Sequence, residues 1–427
     1  MRHIVIIGNG ISGITAARHI RKRSDDRITV VSGESDHFYS RTALMYIYMG
    51  HMRYAHTKPY EDHFWAKNGI DLVRGWVERV DTTSRELELS DGRWITWDVL
   101  LVASGSRSNL FGWPGQDLRG VQGLYGLQDL ERMERDTTGV RQAVVVGGGL
   151  IGVELAEMLH SRGIHVTFLV REPRFWGRVL PEAGSHLIER HLREHGIDLR
   201  LGTGLQELVD DGTGRVKAVR TTNREEFPAG FVGIGVGVSP NIGFLQGSGV
   251  STDRGVLVNG FLETNVRDVY AAGDCAQLQA HPEPGRPAIE AVWYTGRMMG
   301  EAVARTITGE RTAYDPGPWF NSAKFFDIEY QTYGRVPAEL EAGHDAHTWE
   351  HPDGRRSLHL VWEKDSRRFL GVNALGVRLR HEVFDAWLRE GASIDVVVAG
   401  LDRAHFDPEF QRRFVREFVV TFTTARS

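Results

Sequence analysis

Two glycine clusters carry the first chemical signal in this sequence: Gly8, Gly10 and Gly13 in Gly8-Asn9-Gly10-Ile11-Ser12-Gly13, and Gly147, Gly149 and Gly152 in Gly147-Gly148-Gly149-Leu150-Ile151-Gly152. Glycines at this spacing permit a tight turn and a close backbone approach to pyrophosphate. The negative charge then meets unpaired N–H groups and the positive end of a helix dipole. Dinucleotide contacts are therefore expected at Gly8, Gly10, Ile11, Ser12 and Gly13, and again at Gly147, Gly149, Leu150, Ile151 and Gly152. Context gives the pattern its weight. Each cluster follows an apolar run, residues 4–7 and 143–146, and opens a helical stretch, residues 14–23 and 153–162. A β-branched strand follows each helix, at 28–31 and 166–170, so both units read as the start of a parallel βαβ fold.

A dinucleotide fold also needs a partner for the adenosine ribose, supplied by an acid some 20 residues beyond the last glycine. After Gly13 the best-placed acid is Glu34, just past the strand, with the uncharged Ser32 nearer; an ordinary acidic surface loop is the alternative reading. In the second unit the strand ends at Val170, which cannot accept from a ribose diol, and Arg171 and Arg174 follow, with Glu172 between them. A guanidinium there can pair with a 2′-phosphate, which favours NADPH over NADH.

A third segment, Thr264-Asn265-Val266-Arg267-Asp268-Val269-Tyr270-Ala271-Ala272-Gly273-Asp274, resembles the second flavin-binding motif of the flavoproteins with two dinucleotide-binding domains. That family includes ferredoxin and rubredoxin reductases, nitrite reductase flavin domains and apoptosis-inducing factor. The resemblance covers nearly the whole chain, because residues 8–13, Tyr39-Ser40-Arg41, Ala103-Ser104-Gly105, residues 147–152, Gly237 to Asn241 and Gly273-Asp274 stand in family order. It implies FAD as cofactor and NAD(P)H as co-substrate. It also places Gly273 and Asp274 at the ribityl chain, Arg41, Thr42 and Ala103-Ser104-Gly105 along the FAD, and the Val77 backbone at the adenine. Glu154 then lies near the nicotinamide and Gly237 among the cofactor-binding residues, while Trp293 either meets the flavin ring or packs as a core helix residue.

The chemistry implied is hydride transfer from nicotinamide to flavin N5, with the flavin as reactive centre and no catalytic side chain. The expected acceptor is an iron–sulfur electron-transfer protein. A quinone or small-molecule reductase, and a redox-responsive NAD(H)-binding flavoprotein of the apoptosis-inducing-factor type, are the alternatives; a homodimer is one assembly this reading allows. The chain departs from the disulfide-reductase branch, having no cysteine near Arg41. Its single cysteine, Cys275, excludes an intrachain disulfide and is expected to be a small packing residue. Tyr46 stands where oxygenase-type reductases often carry lysine.

These motifs require an α/β chain with two Rossmann-like three-layer domains and a C-terminal α+β domain. The spacing predicts an FAD-binding domain at 1–113 and 242–310, an NAD(P)H-binding domain at 114–241, and a C-terminal interface domain at 311–427. A hairpin is expected around Asp91-Gly92, the Trp113-Pro114-Gly115 turn marks the crossing, and a strand over 231–238 leads back. A length of 427 residues, 41% of them hydrophobic, suits several buried cores. The net charge of −5 argues against a nucleic-acid partner. The N-terminal apolar run is too short for a signal peptide or membrane span, so a cytoplasmic location is expected. His344, His347 and His351 lie in a polar stretch without a helical framework, and no metal is expected there.

Overall fold

A computed structural model describes residues 1–281, 283, 285–406, 409–410 and 412–424. Its residues form two compact units: Met1–Asn109, Gly123–Thr138 and Gly237–Pro316 in the first, and Leu110–Gln122, Gly139–Val236 and Gly317–Ser427 in the second.

The first unit is built on the continuous apolar run of its first strand. His3–Ile7 pairs in parallel with Arg27–Ser32 on one side and with Val99–Val102 on the other, and Ile70–Arg74 and Val269–Ala271 extend the sheet at its two edges. Strands of a parallel sheet covered on both faces need apolar side chains on both, which is why Ile4, Val5 and Ile6 all have no exposed surface. Helix Ile11–Arg21 follows the first glycine turn, and helix Trp293–Ile307 packs against it at Gly300, where a Cβ would press on the Ser12 carbonyl. The hairpin expected at Asp91-Gly92 is present between Glu86–Leu89 and Trp94–Thr96, with Gly92 at a φ of 83°. The segment Gly123–Thr138, which the sequence pattern places in the inserted stretch, belongs to this unit and carries helix Leu127–Asp136.

The second unit repeats the plan. Gln142–Val146 pairs in parallel with His165–Leu169 and Phe231–Ile234, with Asp198–Arg200 and Val121–Gln122 at the edges. The strand expected over 231–238 ends at Ile234. Gly235 approaches the Gly152 backbone too closely for a side chain, Gly237 turns at a φ of 92°, and Val238–Pro240 pairs instead with Ser106–Ser108 in the first unit's own small sheet.

The C-terminal part of the second unit is a five-stranded antiparallel sheet in the order Phe320–Phe325, Ile328–Gly334, Phe369–Leu375, Ser357–Glu363, His344–Glu350. Helices His381–Glu390, Ile394–Ala404 and Val415–Thr424 follow it. Alternation buries Leu358, Leu360 and Trp362 along one strand, and these pack with Phe384, Trp387, Leu401 and Phe418 from the helices. Phe384 is stacked on Tyr333 at 5.2 Å and meets the edge of Trp387 at 5.2 Å. Phe384→Ala removes this fully buried ring and is expected to cost about 3–5 kcal/mol. The measurement is urea denaturation followed by tryptophan fluorescence, and an unchanged midpoint would sink the assignment of this cluster as the core of the C-terminal part.

Candidate cofactor sites

The first glycine turn is fixed by backbone bonds. The Gly8 N–H donates to Val31 O at 2.8 Å, and the Ala103 N–H to Ile7 O at 2.8 Å, tying the ends of three adjacent strands. Gly8 has a φ of 111°, open to glycine at little cost, and a Cβ there would strike the Ala103 carbonyl oxygen. Gly13 sits directly over Gly8, so a Cβ on it would strike the Gly8 carbonyl. By contrast a Cβ on Gly10 would meet nothing within 4 Å. Helix Ile11–Arg21 therefore starts at an open N-cap with no side chain bonded to its first N–H groups, the arrangement that receives a phosphate. The Ser12 hydroxyl is buried there without a hydrogen-bond partner, with Gly273 packed against its Cβ. An open N-terminus and an orphaned hydroxyl fit the pyrophosphate part of a dinucleotide.

Around this turn lies a polar network. Asp274 accepts from Ser106 Oγ at 3.2 Å and from Tyr125 Oη at 3.3 Å, and Tyr125 Oη in turn accepts from the Ser106 N–H at 2.8 Å. Burial raises the Asp274 carboxyl above its ordinary value, against the opposing pull of Arg41 and these two hydroxyls. Arg41 stacks over the Tyr125 ring, 4.4 Å from its centroid, and donates to Tyr125 O at 2.6 Å. It forms a two-pronged pair with Glu34 at 2.5 and 2.9 Å.

Glu34 also accepts from the Tyr39 hydroxyl and from the Leu127 N–H at 3.0 Å. Burial alone would raise its carboxyl, but the Arg41 charge and the hydrogen bonds outweigh it and hold Glu34 below the usual carboxylate range. Oε1 accepts three of these bonds and Oε2 one. The acid orients Arg41, and Oε2 keeps one acceptor position for the ribose contact expected of Glu34. Leu127 and Tyr125 lie about ninety residues away in sequence, and nothing local in the sequence announces them.

The remaining residues of the first unit are placed as follows. Thr42 is exposed, with its hydroxyl 3.2 Å from Ser40 Oγ. Ser104 Oγ donates to Asn241 O at 2.7 Å, Asn241 N–H returns a bond to Gly105 O at 2.9 Å, and Asn109 N–H donates to Gly237 O at 3.1 Å. Val77 begins the strand Val77–Asp81. Beside it Trp76 lies flat against Gly33, where a Cβ would collide with the ring, and 53% of its surface is exposed. Sequence reasoning missed this aromatic face, and a tryptophan before a Gly-flanked strand was its only local signal. Trp293 opens helix Trp293–Ile307 and is 40% exposed, so it is not a core residue. Cys275 is fully buried; burial pushes its thiol up, and its sulfur lies 3.4 Å from Val102 O.

In the second unit the geometry of the first recurs atom for atom. The Gly147 N–H donates to Leu169 O at 3.0 Å and the Gly235 N–H to Val146 O at 2.7 Å; a Cβ on Gly147 would strike Gly235 O, and one on Gly152 would strike Gly147 O. Gly149 has nothing within 4 Å of an added Cβ, and it is the uncapped N-cap of helix Leu150–Ser161, whose first residues Leu150 and Ile151 are partly exposed. Glu154, one turn on, is pushed up to about 7, first by burial and second by Glu157. Glu157 itself pairs with Lys324 at 2.8 Å. Arg171 follows the buried Val170 and is 73% exposed, 3.3 Å from Glu172; Arg174 lies 3.9 Å from Glu339.

Two glycine-turn sheets of this kind define a flavoprotein reductase fold. A family model described as pyridine nucleotide-disulphide oxidoreductase matches residues 2–300, and the chain belongs to that family. It is an FAD-dependent oxidoreductase of pyridine nucleotides, without the paired cysteines of the disulphide branch. It is 32% identical to a ferredoxin–NAD(P)(+) reductase of Sphingomonas over 85% of this chain and 87% of the relative. To the rhodocoxin reductase of Rhodococcus erythropolis it is 31% identical, over 81% of this chain and 79% of the relative. Among solved structures, the ferredoxin reductase of the CYP199A2 system from Rhodopseudomonas palustris superposes with a TM-score of 0.80 at 24% identity, covering 88% of this chain and 91% of that one. No helix among the described residues is long and apolar enough to cross a membrane.

Glu154 supplies a signed pH test. Its folded value near 7 lies above the ordinary 4.5 of a glutamate, so between the two the folded state holds a proton that the unfolded chain has released. Wild-type stability is expected to fall as pH rises across that window and to stay reduced above it. Glu154→Gln does not titrate, and its advantage over wild type is expected to grow from about pH 4.5 to pH 7, by at most about 3 kcal/mol. Thermal unfolding of both proteins across that range checks it; a constant difference would mean that folding does not raise the Glu154 carboxyl.

Proposed function

We propose that this chain takes hydride from NADPH and delivers electrons to an iron–sulfur protein, with FAD held by the first unit and the nicotinamide nucleotide by the second. The observation that carries this reading is the duplicated open helix N-terminus at Gly10 and Gly149, one in each unit. The domain limits proposed are accordingly 1–113 with 242–310 for FAD, 114–241 for NADPH and 311–427 for the interface domain, with the addition that 123–138 serves the FAD side through Tyr125 and Leu127.

Bound FAD supplies a centre that takes two electrons as hydride and can release them singly. The protein's part is binding, orientation and exclusion of water. Gly8 to Gly13 and the helix N-terminus hold the pyrophosphate, and Ser12 donates its free hydroxyl to it. Asp274 accepts from the ribityl hydroxyls, positioned by Ser106 and Tyr125. Arg41, fixed by Glu34, keeps a cation beside the cofactor. Val77 and the exposed face of Trp76 receive the adenine, and Trp293 shields the flavin. On the second unit Gly147 to Gly152 hold the nucleotide pyrophosphate, Glu154 lies at the nicotinamide, and Arg171 meets the 2′-phosphate.

Three observations support an electron-transfer role. The relatives named above are reductases of ferredoxin and rhodocoxin, a rubredoxin–NAD(+) reductase of Acinetobacter baylyi is 30% identical over 73% of this chain, and the sole thiol is buried away from any redox task. A cytoplasmic location accompanies this reading, in keeping with one unpaired cysteine.

The test is anaerobic stopped-flow reduction of the FAD-loaded chain by NADPH and by NADH, followed at the flavin absorbance band. NADPH is expected to bleach the flavin faster. Arg171→Glu is expected to weaken NADPH binding about ten-fold or more, the loss of a charge-assisted contact, and to leave NADH unaffected. Faster reduction by NADH, with no effect of the substitution on NADPH, would overturn the NADPH assignment; no bleaching with either nucleotide would overturn hydride transfer itself.

A further inference from the structure

Far in sequence from the glycine turns, the second unit gathers two imidazoles and a carboxylate. His191 lies in helix Glu182–Glu194 and His195 is its C-cap, four residues on and therefore on the same face. Asp327 comes from the turn between strands Phe320–Phe325 and Ile328–Gly334, which the left-handed Phe326 at a φ of 56° closes. One ligating atom from each of the three lies within 4.8 Å of the other two. Asp327 Oδ1 is 2.6 Å from His191 Nε2 and 3.6 Å from His195 Nε2.

Three details distinguish this group from a chance ion pair. His191 is 1% exposed, its Nε2 is held against the Asp327 carboxylate, and its Nδ1 is buried without a hydrogen-bond partner. An unsatisfied buried polar group costs about 1–3 kcal/mol. His195 Nδ1 is 2.9 Å from the His191 carbonyl, which can only accept, so Nδ1 donates there and the ring is turned with Nε2 toward Asp327. A backbone carbonyl on the remote nitrogen is the usual means of fixing a metal-binding imidazole. Asp327 is oriented likewise: Oδ2 accepts from Arg355 Nη1 at 3.5 Å, leaving Oδ1 to the histidines.

We propose that His191 Nε2, His195 Nε2 and Asp327 Oδ1 form a binding site for a divalent transition-metal cation of the zinc type. Imidazole nitrogen and carboxylate oxygen suit such a cation, which takes them at about 2.0–2.2 Å in a tetrahedron whose ligand atoms lie roughly 3.3–3.5 Å apart. The 3.6 Å separation lies just above that range and the 2.6 Å one below it, and a small rotation of the exposed Asp327 side chain brings both toward it. Water completes the fourth position. The site links the helix of the parallel-sheet part of the second unit to the first hairpin of its antiparallel part. Its role is therefore structural: cation binding holds those two parts together. It is independent of the flavin reading.

The experiment uses the full FAD-loaded chain, stripped with a chelator, and titrates it with Zn2+ alone by calorimetry. Thermal unfolding is measured with and without the ion. His195→Gln and Asp327→Asn are the variants, since both side chains reach the surface and His191 does not; equal FAD content and equal metal-free melting temperature show that they are folded. One zinc per chain is expected, with a rise in melting temperature. Affinity is expected to fall on the order of ten-fold or more in each variant, and the thermal shift with it. Absence of zinc binding in the wild type overturns the site and leaves a histidine–carboxylate contact only. Binding that survives in both variants also overturns it, because the ion is then held elsewhere, for example among His344, His347 and His351.

Discussion

Both nucleotide-binding halves depend on one steric constraint, the contact of two glycines across a single turn. In each half the third glycine of the motif rests on the carbonyl of the first, and the first rests on the end of a neighbouring strand. A methyl group at either place would drive the helix off the sheet. Because the contact is tight, the helix axis points its free N–H groups at one spot, and the space before the second glycine stays open. Packing and ligand recognition are thus the same interaction seen from two sides.

Around the first of these turns the structure gathers polar groups that the sheet alone could not tolerate. Asp274, Arg41, Glu34, Tyr39 and Tyr125 satisfy one another through a connected set of hydrogen bonds. A partly buried cation and anion of this kind are stable only when every lone pair and proton has a partner. The segment Gly123–Thr138 is what makes that possible, supplying Tyr125, the Leu127 N–H and the Gln128 amide, which donates to Glu34 O at 2.7 Å. Removing that segment would leave Arg41 and Glu34 with each other and little else.

The parts of the fold legible in the sequence were those governed by short-range rules. Strand, glycine turn and helix are contiguous, so both nucleotide units and the Asp91-Gly92 hairpin could be read directly, and the C-terminal part only as α+β. Helices began at the glycines, Ile11 and Leu150 being their first residues, a few residues earlier than the expected stretches at 14–23 and 153–162. What could not be read was long-range. Glu34 satisfies the spacing rule for a ribose acid, but its bonding is decided by Arg41 and by a backbone N–H far along the chain. His191, His195 and Asp327 escaped notice for the same reason, since only a folded hairpin brings the aspartate to the helix, whereas His344, His347 and His351 looked clustered on paper yet are divided: His347 turns to Thr421 and His351 to Asp353.

The lone thiol has a practical side. Cys275 is enclosed on all sides, hydrogen-bonded to backbone carbonyls, and held in its protonated form by burial. Maleimide and iodoacetamide reagents attack exposed thiolates, so the native chain is silent toward them. A cysteine introduced at any chosen surface position would then be the single point of attachment for a dye, a spin label or an electrode linker, with no need to engineer the native residue away first.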